Sequence, residues 1–216
     1  MVGSFGMWMT YGARARRGKT VRQAVTALMV LAAPAGAEDT TVLALGDSLT
    51  QGFGLPEADG FVPQLDRWLA AQGVAAKLIN AGVSGDTTAG GAARADWSLT
   101  PEVDAMIVTL GGNDMLRGRD PGQARQNIET ILKVAEAKDV VVLLIGMQAP
   151  GNYGEAYKRE FDGLYPDLAQ SYDTLFFDNF FSGLGSDDPA ELRAFFQADG
   201  IHPNAIGVAR IVEAIG

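Results

Sequence analysis

The sequence predicts an α/β protein: one three-layer α/β/α sandwich on a mostly five-stranded parallel sheet. Three observations predict it. Short runs that are apolar almost without interruption recur along the chain, such as residues 41–45 (TVLAL) and 140–145 (VVVLLI), as strands covered on both faces require. Stretches with apolar residues at helical spacing fall between these runs, the alternation that builds parallel sheets. The runs end in Gly, Asn or Asp, the residues of tight turns.

Each element follows in chain order. Residues 41–45 start β-branched and stop at Gly46-Asp47-Ser48, which reads as a buried strand ending in a tight turn. Residues 61–72 carry apolar side chains at 61, 62, 65, 68 and 69, an amphipathic helix closed by Gly73. A second strand covers 76–79 and runs into a turn at Asn80-Ala81-Gly82. A third, 103–110 (VDAMIVTL), ends at Gly111-Gly112. Pro121 opens a helix reaching about Lys138, with Ile128, Ile131, Leu132 and Ala135 on one face. Residues 140–145 and 175–177 are the fourth and fifth strands, and a last helix runs from about 203 to 215. The stretch 180–196, with Gly183, Gly185, Asp187 and Asp188, reads as a loop. No internal repeat, long linker or change of composition divides the chain.

Composition narrows the chemistry. The 216 residues are 47% hydrophobic and 20% charged, ordinary globular usage, and they suffice for a core without covalent staples. There is no cysteine, which excludes disulfides, thiol nucleophiles and iron–sulfur clusters, and the one histidine, His202, excludes a multi-histidine metal site. Serine, carboxylate and amide chemistry remain.

Charge is unevenly placed. Residues 1–37 hold Arg14, Arg16, Arg17, Lys19 and Arg22 and no acid, then an apolar run ending in Ala35-Gly36-Ala37. A basic start, an apolar stretch and a small-x-small end are the parts of a cleavable signal peptide. The run, about 15 residues, is short for a membrane span. Residues 1–37 are thus expected to be a signal peptide and 38–216 one exported domain, periplasmic or secreted, monomeric and without a stable anchor. That domain keeps all 26 acidic residues against 12 basic ones, a net charge of −14, which disfavours nucleic acid and anionic lipid as partners.

In a parallel sheet, ligands bind beyond the carboxyl ends of the strands. Strand one delivers Ser48 there, strand two Gly85, strand three Asn113, and near the C-terminus come Asp199 and His202. A serine hydroxyl needs a base, and His202 is the one imidazole. Asp199, three residues earlier, is within reach of its Nδ1, fixing the tautomer that leaves Nε2 for Ser48. An oxyanion formed at an acyl carbonyl needs preset donors, and the backbone N–H groups of Ser48 and Gly85 and the Asn113 amide are candidates. Singly, each residue has an ordinary role open to it: Ser48 or His202 as a helix cap, Gly85 and Asn113 as turn residues, Asp47 and Asp199 as solvated loop carboxylates. Together they fall on strand ends in one consistent order, and the joint reading prevails.

These residues resemble the four blocks of the SGNH (GDSL) hydrolase superfamily: Gly46-Asp47-Ser48-Leu49, Gly85, Gly111-Gly112-Asn113-Asp114, and Asp199 with His202. Within it the chain is most similar to the bacterial acyl-CoA thioesterase I, arylesterase and lysophospholipase group, on residues 80–88 (NAGVSGDTT), 111–118 (GGNDMLRG), 150–154 (PGNYG), Tyr165-Pro166 and 199–204 (DGIHPN). The resemblance implies a flavodoxin-like fold and an acyl-enzyme formed on Ser48, with His202 and Asp199 completing a triad. It implies an oxyanion hole of Ser48, Gly85 and Asn113, and no cofactor or metal. Thr50 matches the Ser or Thr that usually follows the first block. In the group, the segment aligned with 147–153 forms a wall of the acyl groove, and Val83, Met115, Leu116, Met147, Ala149, Pro150 and Ile201 are the expected groove residues. Their apolar character suits acyl or aryl esters and acyl thioesters.

Rival readings lack their motifs. A nucleotide site needs G-x-x-x-x-G-K-[ST] or G-x-G-x-x-G, and neither follows strand one. An α/β-hydrolase needs G-x-S-x-G, which fits neither Ser48 nor Ser84. Metal-dependent hydrolysis would have to use the scattered Asp47, Asp86 and Asp114. A carbohydrate O-acetylesterase of the same superfamily and a non-catalytic exported binding protein remain as alternatives.

Overall fold

The computed structural model describes residues 40–186 and 188–216; the expected signal peptide and Asp187 lie outside the described residues. Five parallel strands form one sheet: β1 (Thr40–Gly46), β2 (Ala76–Gly82), β3 (Ala105–Thr109), β4 (Val141–Ile145) and β5 (Leu175–Phe177), in the order β2-β1-β3-β4-β5. This is the flavodoxin-like doubly wound order. β1 and β3, at its centre, are buried along their whole length, as their unbroken apolar sequences require.

Eight helices are described: α1 (Ser48–Gln51), α2 (Phe61–Ala71), α3 (Thr88–Ser98), α4 (Gly112–Leu116), α5 (Pro121–Ala137), α6 (Glu155–Ser171), α7 (Pro189–Leu192) and α8 (Ala205–Ile215). The chain moves one way from β1 through α2 to β2, then the other way through α3, α5 and α6. Right-handed crossovers therefore put α2 on one face of the sheet and α3, α5 and α6 on the other. α8 packs on α2, and the Trp68 indole donates to Glu213 at 3.0 Å across that seam. The predicted apolar faces of α2 and α5 are buried, through Phe61, Val62, Leu65 and Leu69 and through Ile128, Ile131, Leu132 and Ala135, and α8 buries Val208, Ile211, Val212 and Ile215.

Four features depart from the sequence reading. Asn80 to Gly82 is strand, not turn, because β2 pairs with β1 over its full length from Thr40↔Ala76 to Gly46↔Gly82; ladder hydrogen bonds outweigh local turn preference. Helix α3 carries a glycine pair, Gly90-Gly91, that masks its pattern; Gly91 is buried, and a side chain there would strike Leu110. Helix α6 contains Pro166, ordinarily a helix breaker, yet buries Phe161, Leu164, Tyr165 and Leu168. The stretch 180–196, read as a loop, contains a 3₁₀ turn (Phe180–Leu184), α7 and a second 3₁₀ turn (Arg193–Phe195).

The switch point, where connections leave β1 and β3 in opposite directions, opens the crevice that holds the site. Among the described residues no helix is long and apolar enough to cross a membrane.

Candidate active site

Ser48 is the first residue of α1, directly beyond β1. Asp47, not Ser48, caps that helix: its Oδ1 accepts the Leu49 N–H at 3.0 Å. The Ser48 hydroxyl is left to face His202, whose Nε2 lies 2.8 Å from Ser48 Oγ. His202 does not cap α8 either, because the Asn204 side chain accepts from the N–H groups of Ile206 and Gly207. The other ring nitrogen, Nδ1, is 2.7 Å from Asp199 Oδ2.

Asp199 accepts from three donors. Besides the imidazole, the N–H groups of Ile201 (2.9 Å) and His202 (3.0 Å) donate to Oδ1. The bond from His202 and then those two N–H groups hold its carboxyl down to about 2. An ionised Asp199 requires the proton on Nδ1, leaving Nε2 as an acceptor for the Ser48 hydroxyl. The loop is anchored by its backbone: Phe196 pairs with Pro203, and Gln197 N–H donates to the His202 carbonyl at 2.8 Å. The Phe53 ring lies against the imidazole, centroids 4.6 Å apart.

Gly85 follows β2 with a φ of +79°, a left-handed conformation that favours glycine. Its N–H has no protein acceptor among the described residues. Asn113 sits in α4 after Gly111, whose φ is +116° and where a Cβ would collide with the Tyr165 hydroxyl. Asn113 Nδ2 donates to Asp47 Oδ2 at 3.3 Å, and Arg117 Nη2 donates to Asn113 Oδ1 at 3.4 Å. Asp47 is only 2% exposed. Burial pushes its carboxyl up to about 6, against the opposing bonds from Leu49 and Asn113.

Ser48, Gly85, Asn113 and His202 open onto one cavity of about 470 Å³, within the range of small-molecule sites. Of the expected groove residues, Met115, Leu116, Met147 and Ile201 line it. Val83 is exposed on the loop after β2, outside the lining, and Ala149 and Pro150 line a neighbouring cavity instead. Phe181 and Phe196 belong to both cavities, their ring centroids 5.7 Å apart. Sequence reasoning missed Phe53, Phe181 and Phe196. The last two sit in the stretch read as a loop, where the double aromatics Phe180-Phe181 and Phe195-Phe196 were the available signal. The other conspicuous aspartates are engaged: Asp86 pairs with Arg94 at 2.8 Å, and Asp114 accepts from the Thr88 N–H and hydroxyl.

Comparison with known proteins bears on this geometry. Residues 44–210 match the model of the GDSL-like Lipase/Acylhydrolase family. The chain belongs to that family. Esterase TesA of Pseudomonas aeruginosa is 38% identical over 190 residues, 88% of this chain and 91% of that protein. Thioesterase 1/protease 1/lysophospholipase L1 of Escherichia coli K12 is 36% identical over 180 residues, 82% and 81% of the two chains. Among solved structures, AlinE4, an SGNH-hydrolase family esterase, is 41% identical, with a TM-score of 0.70 over 83% of this chain and 94% of that one. This GDSL-family chain is an enzyme, a serine hydrolase of the SGNH type.

Proposed function

We propose that the protein hydrolyses carboxylic esters (aryl, short-to-medium acyl and lysophospholipid) and acyl thioesters through an acyl-enzyme on Ser48. The observation that carries this is the unbroken hydrogen-bonded chain from Ser48 through His202 to Asp199 at the edge of an apolar cavity. In the first half-reaction Ser48 Oγ bonds to the acyl carbon while its proton passes to His202 Nε2. The oxyanion takes hydrogen bonds from the Ser48 and Gly85 N–H groups and Asn113 Nδ2. The carbon–oxygen or carbon–sulfur bond then breaks, and His202 gives its proton to the departing alcohol or thiol. Water, deprotonated by the same nitrogen, releases the acid in the second half-reaction. Asp199, ionised throughout, holds the imidazole in its working tautomer and offsets the imidazolium charge.

The apolar side chains of Leu49, Met115, Leu116, Met147 and Ile201 in the cavity lining support an acyl or aryl group, while the rings of Phe53, Phe181 and Phe196 beside them keep the sugar-ester alternative in the test below. The names of the relatives, an esterase and a thioesterase/lysophospholipase, point the same way. Residues 1–37 act, on this reading, as a signal peptide that exports residues 38–216. The test is hydrolysis of p-nitrophenyl esters from acetate to palmitate beside the Ser48→Ala variant. Turnover that peaks at one chain length and falls in the variant by on the order of 10⁶-fold is expected. Hydrolysis of acetate alone would favour an O-acetylesterase, and turnover surviving in Ser48→Ala would overturn the triad.

A further inference from the structure

An asparagine amide presents a donor at one end and an acceptor of nearly the same shape at the other, and only one orientation offers N–H groups to an oxyanion. Asn113 is gripped at both ends. Arg117, four residues on, donates from Nη2 to Asn113 Oδ1 at 3.4 Å, while Asn113 Nδ2 donates to Asp47 Oδ2 at 3.3 Å. Turned over, the amide would set Oδ1 against a buried carboxylate and Nδ2 against a guanidinium, replacing two attractions by two repulsions. In the observed orientation Nδ2 spends one N–H on Asp47 and keeps the other.

The same Arg117 nitrogen also donates to the Gly85 carbonyl at 3.0 Å. Gly85 arrives on the loop after β2 and Asn113 on the helix after β3, two segments that no ladder holds together, because β1 lies between those strands. One guanidinium thus spans the segments carrying two of the three proposed oxyanion donors. Arg117 is itself exposed at the surface, so hydrophobic burial does not account for its placement.

We propose that Arg117 is a positioning residue of the oxyanion hole, holding the Asn113 amide with Nδ2 towards the reacting carbonyl, with the bond to the Gly85 carbonyl serving to anchor the guanidinium. The proposal rests on the assignment of Asn113 and Gly85 to that hole. It differs from a loop-stabilising role in one measurable respect: the arginine acts through Asn113, so its effect disappears when the Asn113 amide is gone.

A double-mutant cycle tests this on the full protein, with p-nitrophenyl butyrate as substrate and Arg117→Ala, Asn113→Ala and the double variant compared. Asn113→Ala lowers kcat by about 10²–10³-fold as the loss of one oxyanion donor. Arg117→Ala lowers kcat about 10-fold, less than loss of the donor itself, and leaves KM within about twofold, since an interaction made only in the transition state does not enter substrate binding. In the Asn113→Ala background the same arginine change costs less than about twofold. Equal losses in both backgrounds, or a rise in KM alone, overturn the positioning role while leaving the hole intact. An Asn113→Ala enzyme with full kcat, or a wild type without hydrolysis, overturns the oxyanion assignment and the proposal with it.

Discussion

His202 Nε2 lies 2.8 Å from Ser48 Oγ although 154 residues separate the two in the chain. The contact joins the end of the first described strand to the loop before the last helix. It holds because both partners are fixed by their neighbours: Asp47 caps the helix that begins at Ser48, and Asn204 caps the helix that follows His202. Each cap relieves the adjacent catalytic candidate of a structural duty. The two aspartates near the pair in sequence, Asp47 and Asp199, have their carboxyl pKa values moved in opposite directions, one raised by burial and one lowered by hydrogen bonds.

Asp199→Asn is expected to leave the fold intact and lower kcat on the order of 10⁴-fold, as loss of the orienting carboxylate does in comparable triads. The amide retains an oxygen for the N–H groups of Ile201 and His202, but its nitrogen then faces His202 Nδ1 and favours the tautomer with a proton on Nε2. That imidazole cannot accept the Ser48 proton. The carboxyl stays ionised to about pH 2 in the wild type, so activity lost on acidifying from pH 7 to pH 4 does not come from this residue. Steady-state kinetics and thermal unfolding of the variant check both halves; an unchanged kcat would remove Asp199 from the triad.

Much of this was legible in the sequence, for physical reasons. The inner strands announce themselves because a strand covered on both faces has to be apolar, as residues 141–145 are, whereas the edge strand β2 carries Lys77 and Asn80 and its end was read as a turn. Ser48, Gly85 and Asn113 stand just beyond strand ends, where sharp turns favour Gly, Asn and Asp, while Asp199 and His202 lie in the loop before α8. The helices α3 and α6 were not legible, because the Gly90-Gly91 pair and Pro166 both lower helix propensity; Gly91 leaves room for Leu110, whereas Pro166 lies on the exposed face of α6. Phe181 and Phe196 were not legible as site residues because their role depends on two turns, 15 residues apart, meeting in space. Val83 looked like a groove residue beside Gly85, but the left-handed turn at Gly85 follows it and leaves it exposed at 49%.

The raised carboxyl of Asp47 gives a pH dependence of stability with a definite sign. A folded value of about 6 against an ordinary 3.8 means the native state binds more protons than the unfolded state between those pH values. Asp47 therefore costs nothing below about pH 4, and stability is lost as pH rises through 6, by about 3 kcal/mol in all. Asp47→Asn removes this titration. The difference in unfolding free energy between wild type and variant, measured in urea, is expected to move by about that amount in favour of the variant between pH 4 and pH 7. A difference constant with pH would place the Asp47 carboxyl near its ordinary value. The variant should lose kcat as well, because Asn113 loses its acceptor, so stability and activity part in opposite directions above pH 6.

The contact between Phe181 and Phe196 predicts where the acyl groove ends. The rings, 5.7 Å apart, stand between the cavity beside Ser48 and a second one of mixed lining, with Ala149, Pro150, Leu184 and Leu192 beside Gln148, Asn179 and Ser182, so the first cavity stops at this partition. Phe196 is tied by its backbone to the His202 loop, whereas Phe181 belongs to the separate 3₁₀ turn, which makes it the safer position to change. Phe181→Ala is expected to open the partition and raise kcat/KM for p-nitrophenyl esters longer than the wild-type optimum by about 10-fold, the scale on which one or two methylenes are discriminated. Turnover of the acetate ester should stay within about threefold, since its acyl group does not reach that far. Phe181→Trp should move the optimum the other way by enlarging the partition. If neither variant shifts the chain-length profile, the acyl chain leaves the site along another path, and the rim at Leu116 and Ile201 becomes the place to look.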